Sequence, residues 1–186
     1  NPHSPEFVPF LTVGGGGSLA LRDSRVSGLG FGWTEKFSGL SVVSHPFMPS
    51  LGPSAIEGNV IEDIVTLVLS GTSDAHVAGN QFRNVRDNAL RLTRAPRAQV
   101  AGNLFHGASP TNAIRLLDRS NDAYLAGNVF LGGTRAAILV RGGSDRVQVA
   151  DNLLWRRDGA AIKFLNTACG RASGNIALDG RQKGIE

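Results

Sequence analysis

The residues in this sequence best placed to do chemistry are cations that recur at a fixed interval. Arg91 and Arg115 are 24 residues apart, and Lys163 falls at the same phase two intervals later, with Val68 and Leu139 at the remaining positions of the series. Arg94, Arg119 and Arg141 follow close behind members of that series. A planar guanidinium matches a carboxylate with two parallel hydrogen bonds, so a line of such groups fits an extended anionic chain. Arg91, Arg115, Lys163, Arg94, Arg119 and Arg141 are therefore the candidate substrate-binding residues. The plainer alternative is a solvent-facing surface whose charges oppose aggregation. The net charge of +4 suits an anionic partner but is modest.

Other reactive side chains give weaker signals. The four histidines, His3, His45, His76 and His106, show no HxxxH or similar spacing, so no metal site is expected and no cofactor is called for. Cys169 is the single cysteine and is expected to be a buried structural thiol. With aromatic residues at 6%, there are few platforms for stacking bases, which argues against a nucleic acid partner. No apolar run is long enough to span a membrane.

The elements that would align those cations are visible as a repeat. A small residue or Asp, then Asn, then two mostly apolar positions recur around Asn59, Asn80, Asn103, Asn128, Asn152 and Asn175, at steps of 21 to 25 residues. Before each Asn lies a short alternating segment such as Ala98-Gln99-Val100-Ala101. Fourteen or 15 positions before each Asn lies another, such as Ala89-Leu90-Arg91-Leu92 or Ala113-Ile114-Arg115-Leu116. Alternation turns Leu90, Leu92, Ile114, Leu116, Ile138 and Val140 inward and leaves two outward columns on the first sheet. One runs Val68, Arg91, Arg115, Leu139, Lys163, and the other Ser70, Thr93, Leu117, Arg141, Leu165.

Stacked rungs about 4.8 Å apart bury what one rung cannot, which predicts an all-β, single-stranded right-handed parallel β-helix of about seven rungs. The asparagines are expected to form a structural amide ladder at a turn. Ser24 takes the Asn position in an earlier rung, and the 35-residue step from Ser24 to Asn59 predicts an extra loop at 45–53, rich in proline, which could wall a cleft. Residues 1–186 read as one β-helix domain. Neither terminus reads as a cap, which predicts a segment of a longer solenoid or end-to-end self-association.

Phe7-Val8-Pro9-Phe10, the stretch ending Ser27-Gly28-Leu29-Gly30, the strand Ser38-Gly39-Leu40-Ser41-Val42-Val43, the proline loop and Asn121-Asp122-Ala123-Tyr124-Leu125-Ala126-Gly127-Asn128 together resemble one known group. It is the periplasmic mannuronan C-5 epimerases of alginate export, among the carbohydrate-binding and sugar-hydrolysing β-helix repeats. The resemblance covers roughly residues 7 to 180 and implies a periplasmic or secreted bacterial protein acting on an acidic polysaccharide. In that family an Asp-Pro-His motif lies on the first sheet with an Arg one coil later. Here Ala89-Leu90-Arg91-Leu92-Thr93-Arg94 stands in place of the motif, and Asp118 with Arg119 in place of the Arg, so no catalytic residue is carried over.

Three readings follow. The first is an envelope protein that binds a polyuronate-like chain along a basic first-sheet groove, a divergent or inactive epimerase homologue. The second is an active epimerase or lyase that uses residues such as Arg91, Arg115 and His106. The third is a structural or adhesive solenoid without glycan binding.

Overall fold

The computed structural model describes residues 8–31, 34–107 and 111–186, so Phe7 and His3 lie outside the described residues. Every element is a short strand, and all the strands belong to three parallel sheets of seven strands. The first sheet contains β1 (Leu11–Val13), β4 (Gly39–Val43), β7 (Thr66–Ser70), β10 (Leu90–Thr93), β13 (Ile114–Leu117), β16 (Ile138–Arg141) and β19 (Ile162–Leu165). The second contains β2 (Ala20–Arg22), β5 (Ala55–Glu57), β8 (His76–Ala78), β11 (Gln99–Ala101), β14 (Tyr124–Ala126), β17 (Gln148–Ala150) and β20 (Arg171–Ser173). The third contains β3 (Arg25–Ser27), β6 (Val60–Glu62), β9 (Gln81–Arg83), β12 (Leu104–His106), β15 (Val129–Leu131), β18 (Leu153–Trp155) and β21 (Ile176–Leu178). Each strand pairs with the strands one coil before and after it, which is a parallel β-solenoid.

The two positions after each Asn, part of the repeat signature in the sequence, are thus a third strand. Its interior members Ile61, Phe82, Phe105, Phe130 and Leu154 are buried, while their neighbours Leu104, Val129 and Leu153 face outward and are half-buried. Phe82, Phe105 and Phe130 stack nearly parallel at centroid distances of 4.8 and 4.7 Å. The first-sheet ladder is as the alternation requires: Leu67, Leu90, Ile114, Ile138 and Ile162 are in register and fully buried.

Two polar ladders lock the coils. In the asparagine column each Nδ2 donates to the Oδ1 of the next Asn, from Asn59 through Asn80, Asn103, Asn128 and Asn152 to Asn175, at 2.9 to 3.0 Å. The backbone N–H of the same donor residue reaches the same oxygen, and Ser24 N–H donates to Asn59 Oδ1 from the rung where serine replaces asparagine. Elsewhere Asp74, Arg97, Asp122, Arg146 and Cys169 all adopt left-handed backbone, with φ of 54° to 57°. Arg97 grips Asp74, and Arg146 grips Asp122, through two bonds of 2.7 Å each. Cys169 closes this column of turn residues and is exposed, so the expected buried thiol is corrected.

The long coil is built differently from the single loop expected at 45–53. Its extra residues are divided between the β3–β4 connection, 28–38, and the β4–β5 connection, 44–54, so neither insertion lies between whole rungs. The first folds tightly: a Cβ on Gly30 would come within 2.5 to 2.7 Å of the Ser38–Gly39 backbone, and Gly30 has φ of +91°. Phe10, Phe31 and Phe37 cluster at its base, with Phe10 and Phe37 edge to face at 4.9 Å. In the second, His45 and Met48 form an antiparallel bridge closed by Met48 N–H donating to the His45 carbonyl at 2.8 Å. These two segments stand over the first sheet.

Candidate functional site

The register of the first sheet sets Val68, Arg91, Arg115, Leu139 and Lys163 side by side in one outward column. Adjacent strands are about 4.8 Å apart, so Arg91 and Arg115 are immediate neighbours and Lys163 stands roughly 14 Å from Arg91. Val68 is nevertheless buried, beside a small cavity whose lining also includes Thr34, Glu35, Ser38, Asp87 and Arg91. Thr34, Glu35 and Ser38 thus lie over the start of the column, with Glu35 Oε1 3.8 Å from Arg91 Nη2.

Arg115 has no such partner. It is half-buried, its Nε is fully buried and unbonded, and it has no hydrogen bond or ion pair among the described residues. Burial pushes its guanidinium below the usual arginine range, and the charges of Arg91 and Arg141 push it further, against the opposing pull of Asp87 and Asp118. A desolvated cation between two like charges is a strong receptor for an anion.

The remaining candidates divide into two groups. Lys163 is tied to the Glu186 carboxylate at 3.0 Å and lines a cavity of about 400 Å³ with Thr134, Arg135 and Gln182, away from the arginine pair. Arg94 and Arg119 line a cleft of about 620 Å³ whose opposite wall is the loop, with His45, Pro46 and Pro49. Arg94 also folds back to donate to Ser70 Oγ at 2.9 Å. Arg141 is exposed at the end of β16.

The second column does not face solvent throughout. Ser70, Thr93 and Leu117 are buried, and only Arg141 and Leu165 are exposed. Nor does His106 join the basic column: it lies on the outward face of the third sheet in register with Arg83 and Leu131, so Arg91, Arg115 and His106 are not brought together. His76 is held by Glu57 at 2.7 Å on the second sheet, where Tyr124 also faces outward. Glu35 is the residue beside the basic column that the sequence does not single out, whereas His45 lies in the expected loop and Asp118 at the turn before Arg119. The length of the 35-residue coil was the only sequence signal for Glu35.

The profile of a family described as "Periplasmic copper-binding protein (NosD)" matches residues 44–186, more than half of the chain. The chain belongs to the NosD family. Like NosD proteins it is an envelope solenoid, periplasmic or secreted. No curated protein matches. Among solved structures, PfbA, a surface adhesin of Streptococcus pneumoniae, superimposes with a TM-score of 0.58 at 16% identity over 91% of this chain, which shows the shared fold. The match spans 46% of the adhesin chain. Among the described residues of this NosD member, no three His, Cys, Asp or Glu side chains group closely enough to hold a metal ion, and no helix is long and apolar enough to cross a membrane.

Proposed function

We infer that the protein binds an acidic polysaccharide of the bacterial envelope along the first-sheet groove, without chemical change to the chain. The observation that carries this reading is Arg115, a half-buried guanidinium beside Arg91 that makes no direct hydrogen bond or ion pair among the described residues, with Asp87 and Asp118 acting on it only at longer range. An unpaired buried charge is costly, and a ligand carboxylate relieves that cost with bidentate geometry. Arg91 and Arg115 are the primary contacts. Arg94 and Arg119 extend the positive surface past the strand ends, and Lys163 and Arg141 supply weaker charge further along.

The resemblance to mannuronan epimerases supports a polyuronate as the glycan, and the absence of their Asp-Pro-His residues supports binding over epimerisation. Copper, named in the NosD family's description, is not part of this reading. Among the described residues no three His, Cys, Asp or Glu side chains gather, and the imidazole of His45 shares its cleft with the cations Arg94 and Arg119.

The test is titration of polymannuronate and a neutral glucan against the wild type and an Arg91→Ala/Arg115→Ala variant, with proton NMR after long incubation. Saturable binding of polymannuronate alone, lost in the variant and leaving C-5 stereochemistry intact, is expected. Equal affinity in wild type and variant overturns the groove, and new unsaturated ends or inverted C-5 centres would instead establish an enzyme.

A further inference from the structure

We propose that the cleft under the 44–54 segment is a separate site for one carboxylate-bearing sugar unit, the end of the acidic chain whose body lies on the Arg91–Arg115 groove. This rests on the acidic-glycan reading for its ligand class, but it gives Arg94 and Arg119 a site of their own, independent of Arg91 and Arg115, and concerns a different length of ligand. The cleft is built where the first-sheet turns after β7, β10 and β13 face the His45–Met48 turn. Its volume of about 620 Å³ lies within the range of sites for small molecules.

The lining has the chemistry of a uronic acid. Arg94 and Arg119 come from successive coils and offer guanidinium groups to a carboxylate. Asp118 and Ser73 offer oxygens to sugar hydroxyls. Pro46, Pro49 and Pro96 present rigid apolar surface to the C–H face of a ring. Asp118 and Arg119 directly follow β13, the strand that carries Arg115, so a chain on the groove can end in the cleft.

Arg94, Asp118 and Arg119 hold left-handed backbone, with φ of 50°, 51° and 64°, the conformation that turn residues such as Asp74, Arg97, Asp122 and Arg146 also adopt in this solenoid.

Sodium D-glucuronate is the probe, with D-glucose and inorganic sulfate as controls, read by saturation-transfer NMR and calorimetry. Asn replaces arginine in the test variants because it tolerates left-handed backbone. Wild type is expected to bind glucuronate at millimolar concentration and not glucose. An Arg94→Asn/Arg119→Asn variant should lose at least about tenfold in affinity, equal to about 1.4 kcal/mol, while an Arg94→Lys/Arg119→Lys variant, which keeps charge but not the planar fork, falls between. The Arg91→Ala/Arg115→Ala variant should keep monosaccharide binding and lose polymer binding. Absence of saturable glucuronate binding, equal binding of glucose, full competition by sulfate, or an unchanged affinity in the Asn variant each overturns the cleft. Polymer binding that ignores Arg91 and Arg115 overturns the groove instead, so the two failures are distinct. Thermal melting of each variant separates lost binding from lost fold.

Discussion

Arg115 stands next to Arg91 in the register of the first sheet, yet Glu35 reaches only Arg91, at 3.8 Å. The pair is therefore asymmetric: Arg91 has a carboxylate of the chain at ion-pair distance, whereas Arg115 feels Asp87 and Asp118 only at longer range and keeps its direct contacts for an external anion. Glu35 is a competitor for any carboxylate that binds there. Glu35→Gln is expected to strengthen polymannuronate binding by about two- to five-fold, the scale of a partly exposed ion pair, and to steepen its loss with added salt. Calorimetric titration at two ionic strengths checks this, and weaker binding in the variant would show that Glu35 serves the ligand instead.

The asparagine ladder places its cost on one oxygen. Asn128 Oδ1 accepts both the backbone N–H and the Nδ2 of Asn103, and Asn128 is fully buried. Asn128→Ala orphans two donors, and each buried group left unsatisfied costs about 1–3 kcal/mol. A loss of roughly 2–5 kcal/mol in unfolding free energy is expected in urea titrations. Asn128→Asp keeps the acceptor oxygen but sets a second oxygen against the acceptors Val100 O and Asn152 Oδ1, to which Nδ2 donates, so it should be destabilised at least as much.

Much of this was legible in the sequence, for reasons that particular residues make plain. Leu90 and Leu92 alternate with polar or exposed partners, so the first sheet and its register can be read directly, and the Asn interval gives the coil length. The third sheet is masked because Val129 and Phe130 are both apolar although only Phe130 points inward, which erases the period of two. Glu35 and His45 sit in insertions without periodicity, and the folding of 28–38 over Val68 depends on close approach at Gly30, which no repeat announces. Cys169 was misjudged because its usual preference for burial is overridden by its place in a column of left-handed turn residues.

That same column should govern part of the acid response. The guanidinium of Arg97 holds Asp74 below the ordinary carboxylate range, and that of Arg146 does the same for Asp122. A carboxylate whose pKa is depressed on folding contributes stability above its unfolded value, here near 3.8, and loses it as pH falls through the lower folded value. Asp74→Asn/Asp122→Asn is therefore expected to flatten the fall in melting temperature below about pH 4, with a small effect at neutral pH because both pairs are exposed. Parallel melting curves for wild type and variant across that range would remove these pairs from the acid transition.

Phe105 is the middle ring of a three-phenylalanine stack and is almost wholly buried. Phe105→Ala removes contacts on both faces, and the parallel sheets on either side leave little room for collapse. The expected loss is about 3–5 kcal/mol, whereas Phe105→Leu, which keeps most of the volume, should cost clearly less. Denaturant titration of both variants distinguishes a rigid stack from a core that refills the space, since equal losses would indicate the latter.

Arg157 is the most buried charged residue among the described residues, 3% exposed, and burial pushes its guanidinium down to about 10. It donates to the carbonyls of Gly132 and Arg135 and so ties down the connection after β15. Gly133, with φ of +120°, leaves the space that the guanidinium occupies, because a Cβ there would collide with Arg157 Nη1. Gly133→Ala alone should destabilise through that collision and through backbone strain, and Arg157→Ala alone through two orphaned carbonyls and lost packing. In the double variant the collision is gone while the strain remains, so its destabilisation should fall short of the sum by about 1 kcal/mol or more. Strict additivity in a double-mutant cycle would mean that Gly133 is required for its backbone alone and that the guanidinium has room to shift.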